Sequence, residues 1–203
     1  IDYSKFDINN RDENPVAMPD MESAIRAQEL LDKKMQETDS IGGVVECVVS
    51  GIKAGVGEPV FDKLDANLAK SIMSIGAVKG VEIGDGFAVA RKSGFENNDS
   101  FVVDENGKVS KATNSAGGIL GGISDGDDIV IRAAFKPTPS IFKEQKTINK
   151  SSENISINVK GRHDPIIVPR AVVVVEAMTA LTVLDMLLVS MTSTVKGIKK
   201  FFS

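Results

Sequence analysis

One cysteine, one histidine and a deficit of positive charge mark this 203-residue chain, and each shortage narrows what it can do. Cys47 alone cannot close an internal disulfide, so the fold carries no covalent staple and a reducing cytoplasm is the expected setting. Lysine and arginine number 24 against 28 aspartates and glutamates, a formal net charge of −4 and a pI near 5.2. That balance argues against a nucleic-acid binder, which needs a basic face to neutralise phosphates; an anionic ligand would have to meet a local cationic pocket. No charged n-region, apolar h-region and small-residue cleavage pattern opens the chain, no internal repeat or low-complexity tract interrupts it, and no metal site is expected. The longest apolar run, residues 171–189, is broken by Glu176 and Asp185. Each charge would cost roughly 2.5–3.5 kcal/mol at mid-bilayer, so the run reads as a buried core helix. What is present is 42% hydrophobic content, enough for one substantial core or two small ones.

Residues 1–19 are polar, contain two prolines and show no sustained period, so they read as a leading loop. Asp20 is placed to cap a helix in which Met21, Ala24, Ala27 or Gln28, Leu31 and Met35 recur at helical spacing, closed by Gly42 and Gly43. Residues 44–52, rich in β-branched side chains, predict a buried strand, and residues 60–75 return to the helical period. Residues 77–90 suggest a strand bent at Gly84 or Gly86, and Glu105-Asn106-Gly107 predicts a hairpin turn inside residues 100–109. Residues 128–135 and 155–160 are further strands. A last helix runs from about Pro169 to about Met191, the proline suiting a first-turn position. The pattern is α+β, with antiparallel strands layered against helices.

Three motifs carry candidate chemistry. The glycine run from Gly117 to Gly126 lacks the lysine of a P-loop and the spacing of a dinucleotide fingerprint; it fits either a tight turn between close backbones or a phosphate contact. Lys136-Pro137-Thr138-Pro139-Ser140 offers an ammonium and two hydroxyls on a proline-stiffened backbone, which suits a phosphate clamp or an ordinary strand end. Lys160-Gly161-Arg162-His163-Asp164-Pro165 holds the only histidine between an arginine and an aspartate, a cluster that fits an anion site or a plain ion pair.

Taken in order with residues 51–66 (GIKAGVGEPVFDKLDA), residues 76–87 (GAVKGVEIGDGF) and Pro169-Arg170-Ala171-Val172, these blocks resemble chorismate synthase, specifically the C-terminal half of its chains, so that all of residues 1–203 would be part of one such domain. The resemblance implies helices sandwiched between antiparallel sheets. It also implies a lyase of the shikimate pathway of aromatic amino-acid biosynthesis, which eliminates phosphate from 5-enolpyruvylshikimate 3-phosphate to form chorismate. Reduced FMN is the implied cofactor, with NADPH associated, and the implied assembly is a homotetramer. Carried over by position, Gly76, Ala77, Gly121, Lys136, Pro137, Thr138, Pro139, Ser140 and Arg162 would contact the flavin, and Asp164 would stand near it to manage a proton; His163 belongs to the signature without an assigned role. Gly76 replaces a usual asparagine or proline, and Gly94-Phe95-Glu96-Asn97-Asn98-Asp99 stands where the family often reads Gly-Ser-Glu-His-Asn-Asp. Lys53 and Val173 replace prolines. The family's two proton-handling histidines and several arginines belong to the other half, so two further readings stay open: a flavin- or phosphate-binding fragment without turnover, and an oligomerising half.

Overall fold

The computed structural model describes residues 3–103, 105–107, 109–161 and 163–203. In chain order the elements are α1 Met21–Gln36, β1 Gly43–Val49, α2 Leu64–Met73, β2 Val78–Ile83, β3 Phe101–Val103, β4 Val109–Lys111, β5 Ile119–Leu120, β6 Ile123–Ser124, β7 Ile129–Phe135, β8 Gln145–Ile148, β9 Asn154–Ile157, α3 Val168–Thr192 and α4 Val195–Phe201. They divide into two compact units, Ile1–Val44 with Phe135–Val172, and Val45–Ala134 with Val173–Ser203.

In the first unit the leading segment is not a plain loop. It winds into two 3-10 turns, Tyr3–Lys5 and Ile8–Glu13, the second capped by the Asp7 carboxylate accepting from the Asn9 amide. The Asn14 carboxamide accepts from the Val16 and Met18 amides and donates to the Asn10 and Met18 carbonyls. This brings Val16 onto Ala24 and Leu31 in a small core shared with Met18, Ala27, Ile41 and Ile166. Asp20 caps α1 as the sequence predicts, accepting from Glu22 N at 3.0 Å and from the Ser23 hydroxyl at 2.6 Å. Met21 and Met35, read as part of the apolar stripe, are exposed. The helix stops at Gln36, well before Gly42 and Gly43: Thr38, at φ 54°, turns the chain out of the helical path. Gly42 is needed elsewhere, because a Cβ there would lie 2.3 Å from the Phe135 carbonyl oxygen. The hairpin of β8 and β9 pairs Gln145 with Ile157 through Ile148 with Asn154, and is mostly exposed.

The second unit is built on a three-stranded sheet in the order β1-β7-β2. Central β7 alternates as a half-covered strand should, with Ile129, Ile131 and Ala133 fully buried and Phe135 nearly so. Leu64, Leu68 and Ile72 of α2 are completely buried on helical spacing. Burying three such side chains contributes about 1.5–3 kcal/mol each. β2 ends at Ile83, so the long bent strand read over 77–90 is corrected. Gly84, at φ 56°, crosses the backbone of Ser115 so closely that an added Cβ would meet its carbonyl at 2.2 Å, and Gly86–Arg91 then forms a 3-10 helix. Asn106-Gly107 does turn a hairpin, with β3 and β4 antiparallel.

Within this unit α3 buries Val175, Thr179, Val183 and Met186 on one stripe while Val173, Val174, Leu181, Leu184, Leu188, Val189 and Met191 are exposed. The expected all-round burial is thus met on one face only. Its exposed side is also largely apolar, interrupted by Glu176 and Asp185, and by length and composition alone α3 could cross a membrane.

Candidate functional site

Immediately after β7, two prolines set the backbone of Lys136 to Ser140, and long-range hydrogen bonds hold it. The Ser40 hydroxyl donates to the Thr138 carbonyl at 2.6 Å, and Gln145 Nε2 donates to the Pro139 carbonyl at 2.8 Å. A cavity of about 360 Å³ opens beside it, lined by Lys136, Pro137, Thr138 and Pro139 with Asp39, Ser40, Ile141 and Gln145. The charge there is decided by one ion pair. Asp39 accepts from Lys143 Nζ at 2.6 Å, and that bond, with the Ser40 amide, holds its carboxyl below the usual range. Among the described residues the one carboxylate lining the cavity is therefore matched, while Lys136 makes no ion pair and leaves the cavity cationic. Thr138 Oγ1 is buried with no hydrogen-bond partner among the described residues, a cost of about 1–3 kcal/mol unless a ligand supplies one.

The RHDP cluster is tied to the same unit through Ile41, whose amide donates to the Pro165 carbonyl at 2.9 Å, next to the cavity-lining Asp39 and Ser40. His163 Nε2 lies 3.2 Å from the Val159 carbonyl, and its ring stands edge-on to Phe142 with centroids 4.8 Å apart. Asp164 is ion-paired with Arg170, both side chains substantially exposed. Arg162, the residue read as a bidentate anion ligand, lies outside the described residues.

The second unit carries the remaining sequence-derived positions. Gly76 and Ala77 are the central residues of the turn between α2 and β2, closed by the Val78 amide on the Ile75 carbonyl. Ala77 sits at φ 71°, an uncommon conformation for a residue with a Cβ. The glycine run separates into two kinds. Gly117, at φ 66°, packs on Gly84, where a Cβ would come within 2.3 Å of the Gly84 nitrogen. Gly121 and Gly122 form the two-residue turn of the β5–β6 hairpin with φ 60° and 86°, and a Cβ on Gly121 would meet nothing within 4 Å. The tight-turn reading therefore accounts for both Gly117 and the Gly121–Gly122 turn, and Gly121 in addition leaves room for a ligand to approach the backbone.

Sequence reasoning missed two features. Asp39, Ser40 and Gln145 reach the cavity only through tertiary contacts, with no motif of their own. The other is an ion cluster under the hairpin: Lys111 Nζ lies 2.7 Å from Asp125, 3.0 Å from Asp127 and 4.0 Å from Asp99, with the Lys111 side chain 3% exposed and that of Asp99 5%. Burial pushes the Asp99 carboxyl up, but bonds from the Thr113 hydroxyl and the Ala116 and Ser115 amides outweigh it and hold the group below its ordinary value. Burial likewise pulls the Lys111 ammonium down, and Asp125 and Asp127 more than reverse it.

A family model described as chorismate synthase matches residues 3–188. The chain belongs to the chorismate synthase family. A chorismate synthase of Lachnoclostridium phytofermentans is 60% identical over 202 residues, taking in 100% of this chain and 55% of its own length. That of Lachnospira eligens is 59% identical with the same coverage. A crystal structure of chorismate synthase superposes with a TM-score of 0.74 at 29% identity, covering 96% of this chain and 51% of its own. The α+β architecture of helices with antiparallel sheets is thus that of chorismate synthase, and the chain spans about half the length of the curated relatives it matches.

Proposed function

We propose that these 203 residues supply much of the flavin-binding surface of a chorismate synthase that converts 5-enolpyruvylshikimate 3-phosphate to chorismate and phosphate. The observation that carries this is the cationic cavity beside Lys136 to Ser140, whose Thr138 hydroxyl is buried without a partner among the described residues. Its donors fit an oxyanion: the Lys136 ammonium and the Thr138 hydroxyl, on a backbone stiffened by Pro137 and Pro139 so that little ordering entropy opposes binding. In this reading Lys136, Thr138, Ser140 and Arg162 of the first unit hold a phosphate or ring oxygen of FMN; of the second unit, taken by itself, Gly76, Ala77 and Gly121 are proposed as backbone that a flavin can approach. Gly121 fits that role because the space above its Cα is open.

Reduced FMN, when bound, supplies electron density to the substrate and recovers it, so no net reducing equivalent is consumed. The chain's own residues orient and neutralise: fixed cations near the cavity offset negative charge at no reorganisation cost. Asp164 is proposed to hold or move a proton, a role that requires its carboxylate to exchange the exposed Arg170 pair for the reacting group. A homotetramer in the cytoplasm, with the flavin kept reduced by NADPH, completes the proposal. The proton-handling histidines are proposed to come from the remainder of the enzyme, since His163 is engaged with Val159 and Phe142.

The test is an anaerobic assay of the full-length enzyme with reduced FMN and 5-enolpyruvylshikimate 3-phosphate. Chorismate and phosphate should appear one for one, with none when FMN is left out. Phosphate release independent of FMN would overturn the reading.

A further inference from the structure

The segments that lead into and out of the hairpin ending in Gly121 are held by a cluster of charged and polar side chains. Asp99 Oδ1 accepts from the Thr113 hydroxyl at 2.6 Å and from the Ser115 amide at 2.7 Å, and its Oδ2 accepts from the Ala116 amide at 2.8 Å. One carboxylate therefore fixes three residues of the segment 113–116 that enters the glycine run. On the exit side, Asp125 donates its amide to the Gly118 carbonyl, and its carboxylate accepts from the Asp127 amide at 3.0 Å. Lys111 lies between the two sides, bonded to Asp125 and Asp127 and 4.0 Å from Asp99. Asn114 closes the ring by accepting from the Gly118 amide and donating to the Asp128 carbonyl, both at 2.8 Å.

Such a cluster is an expensive way to hold a surface turn. The Lys111 and Asp99 side chains are nearly fully buried, which opposes their charged forms, and apolar packing would commonly stabilise as well. What charge-assisted bonds to backbone amides give in exchange is direction: they fix where a loop stands to within the tolerance of a hydrogen bond. The cluster spends that on a stem whose tip, Gly121-Gly122, has open space above its first glycine.

We propose that Lys111 and Asp99 are positioning residues for the Gly121 turn, holding its backbone in the place where it meets the flavin. This rests on the reading of Gly121 as a flavin contact. Neither residue touches the ligand; both act through the backbone between Thr113 and Asp127.

The test uses the full-length enzyme and reads three quantities: the dissociation constant for FMN, amide hydrogen exchange over residues 113–127, and the thermal midpoint. Asp99→Asn keeps the shape and removes the charge. It should quicken exchange at Ser115, Ala116 and Gly118 and raise the FMN dissociation constant by about 3- to 30-fold, the range for supports outside a ligand's contacts. Lys111→Met should do the same and Lys111→Arg should restore affinity; if Lys111→Met does not fold, Asp99→Asn carries the comparison. The deciding arm is a double-mutant cycle with Gly121→Ala. Once the turn itself is spoiled, adding Asp99→Asn should weaken FMN by less than about 2-fold further. Full additivity, or unaltered affinity in Asp99→Asn despite faster exchange, would leave the cluster a structural staple and overturn the inference alone. If Gly121→Ala by itself leaves FMN affinity unchanged, the flavin-contact reading falls first and takes the inference with it.

Discussion

Gly117 and Gly121 stand four residues apart in one loop, both with positive φ, yet replacing each by alanine should have opposite consequences. The left-handed backbone alone costs an alanine about 1–2 kcal/mol at either position. At Gly121 little adds to that, since among the described residues no atom beyond its chain neighbours lies within 4 Å of the new methyl. At Gly117 the methyl would sit 2.3 Å from the Gly84 nitrogen and 2.4 Å from its Cα, backbone that is itself fixed by the Gly84 amide on the Val130 carbonyl. Forcing that contact apart adds about 1–3 kcal/mol of overpacking. Gly117→Ala should therefore destabilise by about 2–5 kcal/mol and Gly121→Ala by only about 1–2 kcal/mol. Flavin affinity should run the other way: the Gly121 methyl stands in the space assigned to FMN and should weaken binding about tenfold or more, whereas folded Gly117→Ala should bind within a fewfold of the parent. Thermal unfolding without flavin and fluorescence titration with it, both on the full-length enzyme, separate the two. A Gly121→Ala protein that binds FMN normally, or a Gly117→Ala protein as stable as its parent, would refute the reasoning.

Asp164→Asn should lower turnover by about 10²–10⁴-fold while unfolding within about 1 kcal/mol of the parent, because the Arg170 pair it breaks is exposed; near-normal steady-state rates would make it a structural pair only. Ala77→Gly should raise the unfolding free energy by about 0.5–1 kcal/mol, the relief of φ 71° less the greater freedom of glycine in the unfolded chain; a lower denaturation midpoint would contradict that. Residues 1–203 alone should make no chorismate at a useful rate under anaerobic assay with reduced FMN, and activity should return on mixing with the separately expressed remainder of the enzyme; robust formation by the chain alone would show the catalytic groups misplaced.

Much of the fold was legible because local and global preferences agree. Asp20 caps α1, Asn106-Gly107 turns a hairpin, and β7 alternates buried and half-buried residues along its length. Errors fall where a distant contact decides. β2 is ended by the crossing of Gly84 over Ser115, which no local pattern announces. The leading segment is ordered by Asn14 and Asp7 bonding to backbone, and such bonding has no hydrophobic period. α3 is apolar on most of its circumference, with Glu176 and Asp185 the only charges between residues 171 and 189, so its pattern holds little sign of how narrow the buried stripe would be. At the candidate site, the lysine, hydroxyls and prolines of one contiguous motif could be read directly. Asp39 and Ser40, nearly a hundred residues earlier, join it only through tertiary bonds. Lys111 and its carboxylates are scattered over a hairpin and two loops, and an ordinary lysine in sequence gives no sign that it will be buried.

The account turns on whether the Lys136 cavity binds flavin. Anaerobic titration of the full-length enzyme with reduced FMN measures this directly. Lys136→Ala should weaken binding by about 1.5–3 kcal/mol, the worth of one charged hydrogen bond, with Thr138→Val weakening it less. Undiminished affinity in Lys136→Ala would contradict the assignment of this cavity to the cofactor.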